Sequence, residues 1–326
     1  MKFIDMHCDT LMTTFGHPDT DMMHLPKAMV DLARMKEGGQ LAQFFAMFLL
    51  PAGAEKMLGL SEPVDDDDYI NQLHHTLMHN IEQHSDIIAF AKNADDLEQN
   101  EKAGKMSAFL TIEDGRSVNG SMEKLEHYYN MGVRLISLTW NFPNCFGSPN
   151  SKDPAVMSQG LIDFGKEAVV RMNELGMLVD VSHLSDGGFM DVAKLCTKPF
   201  VASHSNCRAL SPHQRNMTDE MIKILGEKGG VAGINFGPEF LNEDVECKDS
   251  TAALMVKHIK HFIDIGGTEC VGLGSDFDGI AGNMEIGSCD KMPILFDLLH
   301  KEGISDDQIE KIAWKNTLRV IRESMK

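Results

Sequence analysis

No Cys-x-x-Cys pair occurs in this 326-residue sequence, and its seven cysteines lie scattered at Cys8, Cys145, Cys196, Cys207, Cys247, Cys270 and Cys289. The odd count and wide spacing exclude a disulfide framework and a cysteine-ligated zinc site, and they fit a reducing, cytoplasmic location. Long apolar runs are missing too. No stretch approaches the roughly 20 residues of a membrane span. The opening MKFIDMHCDT lacks the apolar core of a signal peptide, and the closing KIAWKNTLRVIRESMK is charged, unlike a lipid-anchor signal. The expectation is a chain that neither enters nor is tied to a membrane. Basic charge is also short: 30 Lys and Arg face 49 Asp and Glu, a formal net charge of −19. Such a chain repels phosphate backbones, so nucleic acid is excluded as a partner. The acidity, including the run Asp65–Asp68, reads as a solvated surface. Low-complexity linkers and repeats are absent, and one domain covering 1–326 is expected.

What is present is a regular alternation. Short apolar runs fall at 2–7, 41–49, 106–112, 134–139, 177–182, 200–203, 230–235 and 270–274. Several are apolar on successive residues, as strands buried on both faces are. Helical patterns lie between them, at 69–92, 122–131, 159–175, 185–195, 218–227, 251–265, 290–300 and 305–324. Gly176 stands where a C′ glycine belongs, and Thr218 where an N-cap belongs. Eight strands mostly separated by helices point to a parallel sheet, and a (β/α)₈ barrel is the simplest closure. A doubly wound open sheet is the structural alternative.

The polar residues favour the barrel. His7 and Asp9 end the first run, Glu113 and Asp114 the third, His183 the fifth, His204 the sixth, and Asp276 and Asp278 the eighth. Any one of these is unremarkable alone. In a barrel all such ends meet at the C-terminal face, where catalytic groups sit. His7 and Asp9, two apart on a strand, face one side and can share an ion, with Cys8 turned away. His183 and His204 can hold a second ion, and Glu113 is the natural bridge. Imidazole and carboxylate without thiolate suit zinc. Asp276 would move the proton of an activated water, whereas Asp278, in Asp-Gly, reads as a turn residue. Arg215 can clamp a substrate carboxylate, although composition alone favours an exposed surface arginine. His74, His75, His79, His84, His258 and His261 lie on helical patterns with no carboxylate cluster beside them and read as ordinary helix residues.

The segments DMHCDT, TIEDG, VDVSH, ASHSN, Arg215-Asn216 and GSDFDG occur in this order over residues 5–279. In that combination the chain resembles the renal (membrane) dipeptidase family, amidohydrolase-type binuclear zinc barrels. The resemblance implies two zinc ions per chain, His7 and Asp9 on the first, His183 and His204 on the second, and Glu113 bridging. It implies Arg215 against the C-terminal carboxylate of a dipeptide, Asp276 as proton carrier, and hydrolysis of dipeptides, L-Xaa-D-Xaa included, by a metal-bridging hydroxide. It also implies a homodimer. One position departs. The family places a histidine after the fourth strand, in a Leu-Thr-His context, whereas this chain reads Leu138-Thr139-Trp140-Asn141. Trp140 cannot act as an imidazolium. Its indole N–H and the Asn141 amide are the substitutes at hand for contacting substrate. No lysine stands there either, which argues against the related barrels that bridge their metals with a modified lysine. The competing readings are another metal-dependent hydrolase of N-acyl amino acids or lactones, and a zinc-binding relative without catalysis.

Overall fold

The computed structural model describes residues 1–51 and 64–326. Eight strands form a closed parallel barrel: β1 (Phe3–Cys8), β2 (Gln40–Phe48), β3 (Met106–Glu113), β4 (Val133–Ser137), β5 (Leu178–Asp180), β6 (Val201–Ala202), β7 (Val231–Ile234) and β8 (Val271–Leu273). Each pairs with the next, and Asp5 of β1 opposite Leu273 of β8 closes the ring. The open-sheet alternative is thereby set aside. The registers Phe48 opposite Glu113, Glu113 opposite Ser137, and Ser137 opposite Asp180 carry polar residues around one end of the barrel.

The helices follow local sequence signals. Thr218 caps the helix Asp219–Glu227 by accepting the Met221 N–H, with Asp219 and Glu220 in its first turn, where they meet the positive end of the helix dipole. Gly176 ends Asp163–Leu175 at φ 85°, a left-handed conformation that a Cβ would disfavour. The C-terminal stretch is helical at Asp306–Glu310 and Asn316–Ser324, joined by a π-helical turn over Lys311–Lys315. Leu318, Val320 and Ile321 of this last helix share a buried cluster with Ile4, Phe44, Phe109, Leu135, Leu178, Val201 and Val231 from the strands. All seven cysteines are free, and Cys8 is buried in the larger core cluster.

One expectation fails. The helix placed at 69–92 runs only over Asp66–Gln83, and Ile88–Phe90 is a short strand paired with Met106–Ala108. Three apolar residues carry no period, so the pairing with β3 decides their state. Two histidines of the segment pair with single carboxylates, His84 with Asp21 at 2.7 Å and His75 with Asp19 at 3.6 Å, and among the described residues none joins a carboxylate cluster.

Glycine sets how closely the last three strands approach. A Cβ on Gly233 would lie 2.0 Å from the Ser203 carbonyl oxygen, and one on Gly274 only 1.7 Å. The backbone around Ser203 is therefore wedged against β7 and the end of β8.

Candidate metal centre

His7, Asp9, Glu113, His183, His204 and Asp276 converge at the C-terminal ends of the strands, and all six are buried. Glu113 sits in the middle. Its Oε2 lies 3.3 Å from His7 Nε2, while its Oε1 lies 3.0 Å from His183 Nε2 and 3.3 Å from His204 Nε2. His7 Nε2 is 3.6 Å from Asp9 and 3.7 Å from Asp276. Three overlapping trios bring ligand atoms within 4.8 Å of one another: His7, Asp9 and Glu113; Glu113, His183 and His204; and His7, His204 and Asp276. The first two trios are the sets expected from the strand ends. The third adds Asp276.

The backbone is bent to bring these groups together. His183 and Asp276 adopt positive φ, 68° and 64°. Such conformations cost about 1–3 kcal/mol each and persist where surrounding contacts over-determine them. Asp276 is held by Asn235, whose Nδ2 donates to Oδ2 at 2.7 Å. Asp114, next to Glu113, starts a 3-10 turn instead of facing the site: it accepts the Arg116 N–H at 3.0 Å and the Asn144 side-chain amide at 2.7 Å. Asp278 is a turn residue at φ 68°, as expected, and it ties in the loop after β1 by accepting from Thr10 and from the Met29 N–H.

The electrostatics ask for a cation. Burial pushes the Asp276 carboxyl up to about 8, with Asp9 and Glu113 adding to the rise and His7 opposing it. Burial, helped by the Glu113 charge, lifts Asp9 to about 6. Burial opposes a charged His7, yet Glu113 and Asp9 overcome it and hold the imidazolium well above its ordinary range. Burial would also raise Glu113, but the His7 charge and the imidazole hydrogen bonds keep it well below the usual carboxylate range. His183 is pushed down to about 4 by burial and by Arg215. Both ring nitrogens of His7 and Asp9 Oδ1 are buried without a hydrogen-bond partner, and the Nε2 atoms of His183 and His204 face each other at 3.1 Å. Buried donors and acceptors left without partners cost free energy. Divalent cations among these atoms would satisfy the carboxylates and leave the imidazoles neutral, so the residues fit a metal group.

The remaining candidates lie around this core. Arg215 is 6% exposed, so the surface-arginine reading fails. Its guanidinium donates to Ser205 Oγ at 2.8 Å and to the His204 carbonyl at 3.1 Å, and its Nε has no partner. Trp140 lines a cavity of about 470 Å³ together with Asp9, Glu113, His183 and Asp276. Its ring packs against Phe48 at 5.1 Å and Phe142 at 5.9 Å. Asn141 has its Oδ1 3.1 Å from His183 Nδ1. His258 is structural: it accepts the Cys207 N–H and donates to the Leu241 carbonyl. Sequence reasoning missed Asp5, Asp180, Ser203 and Asn235. The available signal was a polar residue inside or just beyond an apolar strand run.

A parallel eight-stranded barrel with buried histidines and carboxylates at its C-terminal end defines a metal-dependent hydrolase. The sequence profile described as membrane dipeptidase (peptidase family M19) matches residues 1–326, and the chain belongs to that family. Dipeptidase tcpJ of Claviceps purpurea is 30% identical over 307 residues, 90% of this chain and 69% of its own. The structure of the metallopeptidase called dipeptidase AC superposes with TM-score 0.89 at 26% identity, over 99% of this chain and 98% of that one. A metallopeptidase from Rhodobacter sphaeroides, liganded with a phosphinate mimic of the dipeptide L-Ala-D-Ala, does so with TM-score 0.88 at 25% identity and 99% coverage of both chains. Among the described residues no helix is long and apolar enough to cross a membrane.

Proposed function

We propose that this chain, acting as one barrel domain, is a zinc-dependent dipeptidase with two zinc ions per chain, cleaving dipeptides with a free C-terminal carboxylate, L-Xaa-D-Xaa included. The observation that carries the reading is Glu113, with one oxygen toward His7 and the other toward His183 and His204. His7 and Asp9 would hold one ion, His183 and His204 the other, and Glu113 both. Bound ions there would lower the pKa of a water and polarise the scissile carbonyl. Asp276 keeps Oδ2 on Asn235, which leaves Oδ1 to take a proton and return it to the leaving nitrogen. Arg215 commits two of its five N–H donors, to Ser205 and to the His204 carbonyl, and would offer the remaining ones to the substrate carboxylate. Asn141, beside His183, sets the rim of the site. The mimic of L-Ala-D-Ala bound by the Rhodobacter relative supports the substrate class.

The cavity wall adds a side-chain preference. Met12, Phe48, Leu50, Trp140 and Ile280 give it a largely apolar surface. Dipeptides with large apolar side chains are therefore expected to be better substrates than small or charged ones. Steady-state kinetics on a panel of dipeptides, N-acyl amino acids and lactones tests the reading. The expected result is dipeptide cleavage with kcat/KM at least about 100-fold above the other classes. Trp140→Ala should lower kcat/KM for leucyl and phenylalanyl dipeptides about tenfold and barely change it for alanyl-alanine. Faster turnover of lactones or N-acyl amino acids would replace the substrate class and leave the site intact.

A further inference from the structure

The residues behind His204 form a buried chain of hydrogen bonds. Asp180, at the end of β5, receives four donors. Its Oδ1 accepts the backbone N–H groups of Ser182 at 2.9 Å and Ser203 at 2.8 Å. Its Oδ2 accepts the hydroxyls of Ser137 and Ser203, both at 2.6 Å. The Ser203 Oγ is also 2.7 Å from His204 Nδ1. A serine hydroxyl has one hydrogen. At 2.6 Å from a carboxylate that hydrogen belongs to Asp180, so Ser203 Oγ can only accept from the ring. His204 Nδ1 must therefore carry the proton, and Nε2 presents a bare lone pair toward Glu113 and His183.

A second, matching clamp holds the other side of the site. Asp5 accepts the Ser275 N–H at 2.8 Å and the Ser275 hydroxyl at 2.6 Å. In both clamps the serine directly precedes a site residue, His204 in one and Asp276 in the other. Only the Asp180 clamp continues onto a ring nitrogen.

We propose that Asp180 and Ser203 are positioning residues that fix the Nδ1–H tautomer of His204 and so aim its Nε2 at the metal. Neither touches the ion or the substrate. Without the Ser203 acceptor the ring is free to move its proton to Nε2 and to rotate, and partners of this kind typically set metal affinity by about 10–100-fold. The inference rests on the metal-centre reading above.

The test measures zinc affinity by competition with a chromogenic chelator for the wild type, Ser203→Ala, Ser203→Thr and Asp180→Asn. It is paired with ¹⁵N NMR of the histidine rings in zinc-loaded wild type and with thermal unfolding of each variant. Ser203→Ala is expected to weaken zinc about 10–100-fold with an unfolding midpoint near the wild type's, and Ser203→Thr, which keeps the hydroxyl, to restore binding to within about threefold. The His204 signals should show a proton on Nδ1 and metal on Nε2. If Asp180→Asn fails to fold, the Ser203 pair still decides. Wild-type affinity in Ser203→Ala, or metal on Nδ1, would overturn the relay and leave the metal centre standing. A wild type that binds no zinc would overturn both.

Discussion

Glu113→Gln is expected to lower kcat/KM by a factor on the order of 10³ or more and to leave at most one metal ion per chain. Glutamine keeps the shape of the side chain, so packing at this buried position changes little. What changes is the charge and one oxygen. Among the described residues, Glu113 is the only carboxylate that reaches His7 with one oxygen and both His183 and His204 with the other. An amide can present only one acceptor and adds a donor where the partners need negative charge. The effect should appear in metal content and in activity together. Metal analysis of the purified variant beside its kinetics separates a lost ion from a slowed step. Full metal content with wild-type kcat/KM would remove Glu113 from the centre of the site.

Asp276→Asn is expected to behave differently, with kcat falling about 10²–10⁴-fold, KM within about threefold, and metal content unchanged. Asparagine can still accept from Asn235 through its carbonyl oxygen, so the side chain stays in place. It cannot take up a proton and pass it on. Asp276 also stands within ligand distance of His7 and His204, which makes metal content the discriminating readout. A variant that loses an ion as well as activity would make Asp276 a ligand instead of a proton carrier.

These expectations lean on residues of unequal visibility in the sequence. The eight strands were legible because each is a short apolar run buried on both faces, and their ends fall close to the expected positions. His7, Glu113, His183 and His204 were legible for the complementary reason: each breaks such a run at its C-terminal end, where a purely structural barrel has no use for charge. The short helices Leu32–Glu37 and Ala94–Lys102 and the strand Ile88–Phe90 were not, because segments that short carry too little periodicity. Asp180 and Asp5 were hidden for another reason. Their meaning lies in hydrogen bonds to serines 23 and 270 residues away, which strand pairing brings near for Asp180 and barrel closure for Asp5. Arg215 illustrates the limit of composition: arginines are mostly exposed, yet this one is buried against Ser205 and the His204 carbonyl. The Trp140 substitution was plain in the sequence, but its aromatic neighbours Phe48 and Phe142 were not.

Dipeptide hydrolysis by a metal centre built on Glu113 is the property on which every other expectation depends. Metal analysis of protein purified without chelator, followed by L-Ala-D-Ala hydrolysis before and after stripping and zinc return, tests it most directly. The expected result is two divalent ions per chain, activity lost on stripping and regained in proportion to zinc restored. Undiminished hydrolysis by the stripped protein would contradict the metal centre as the site of reaction.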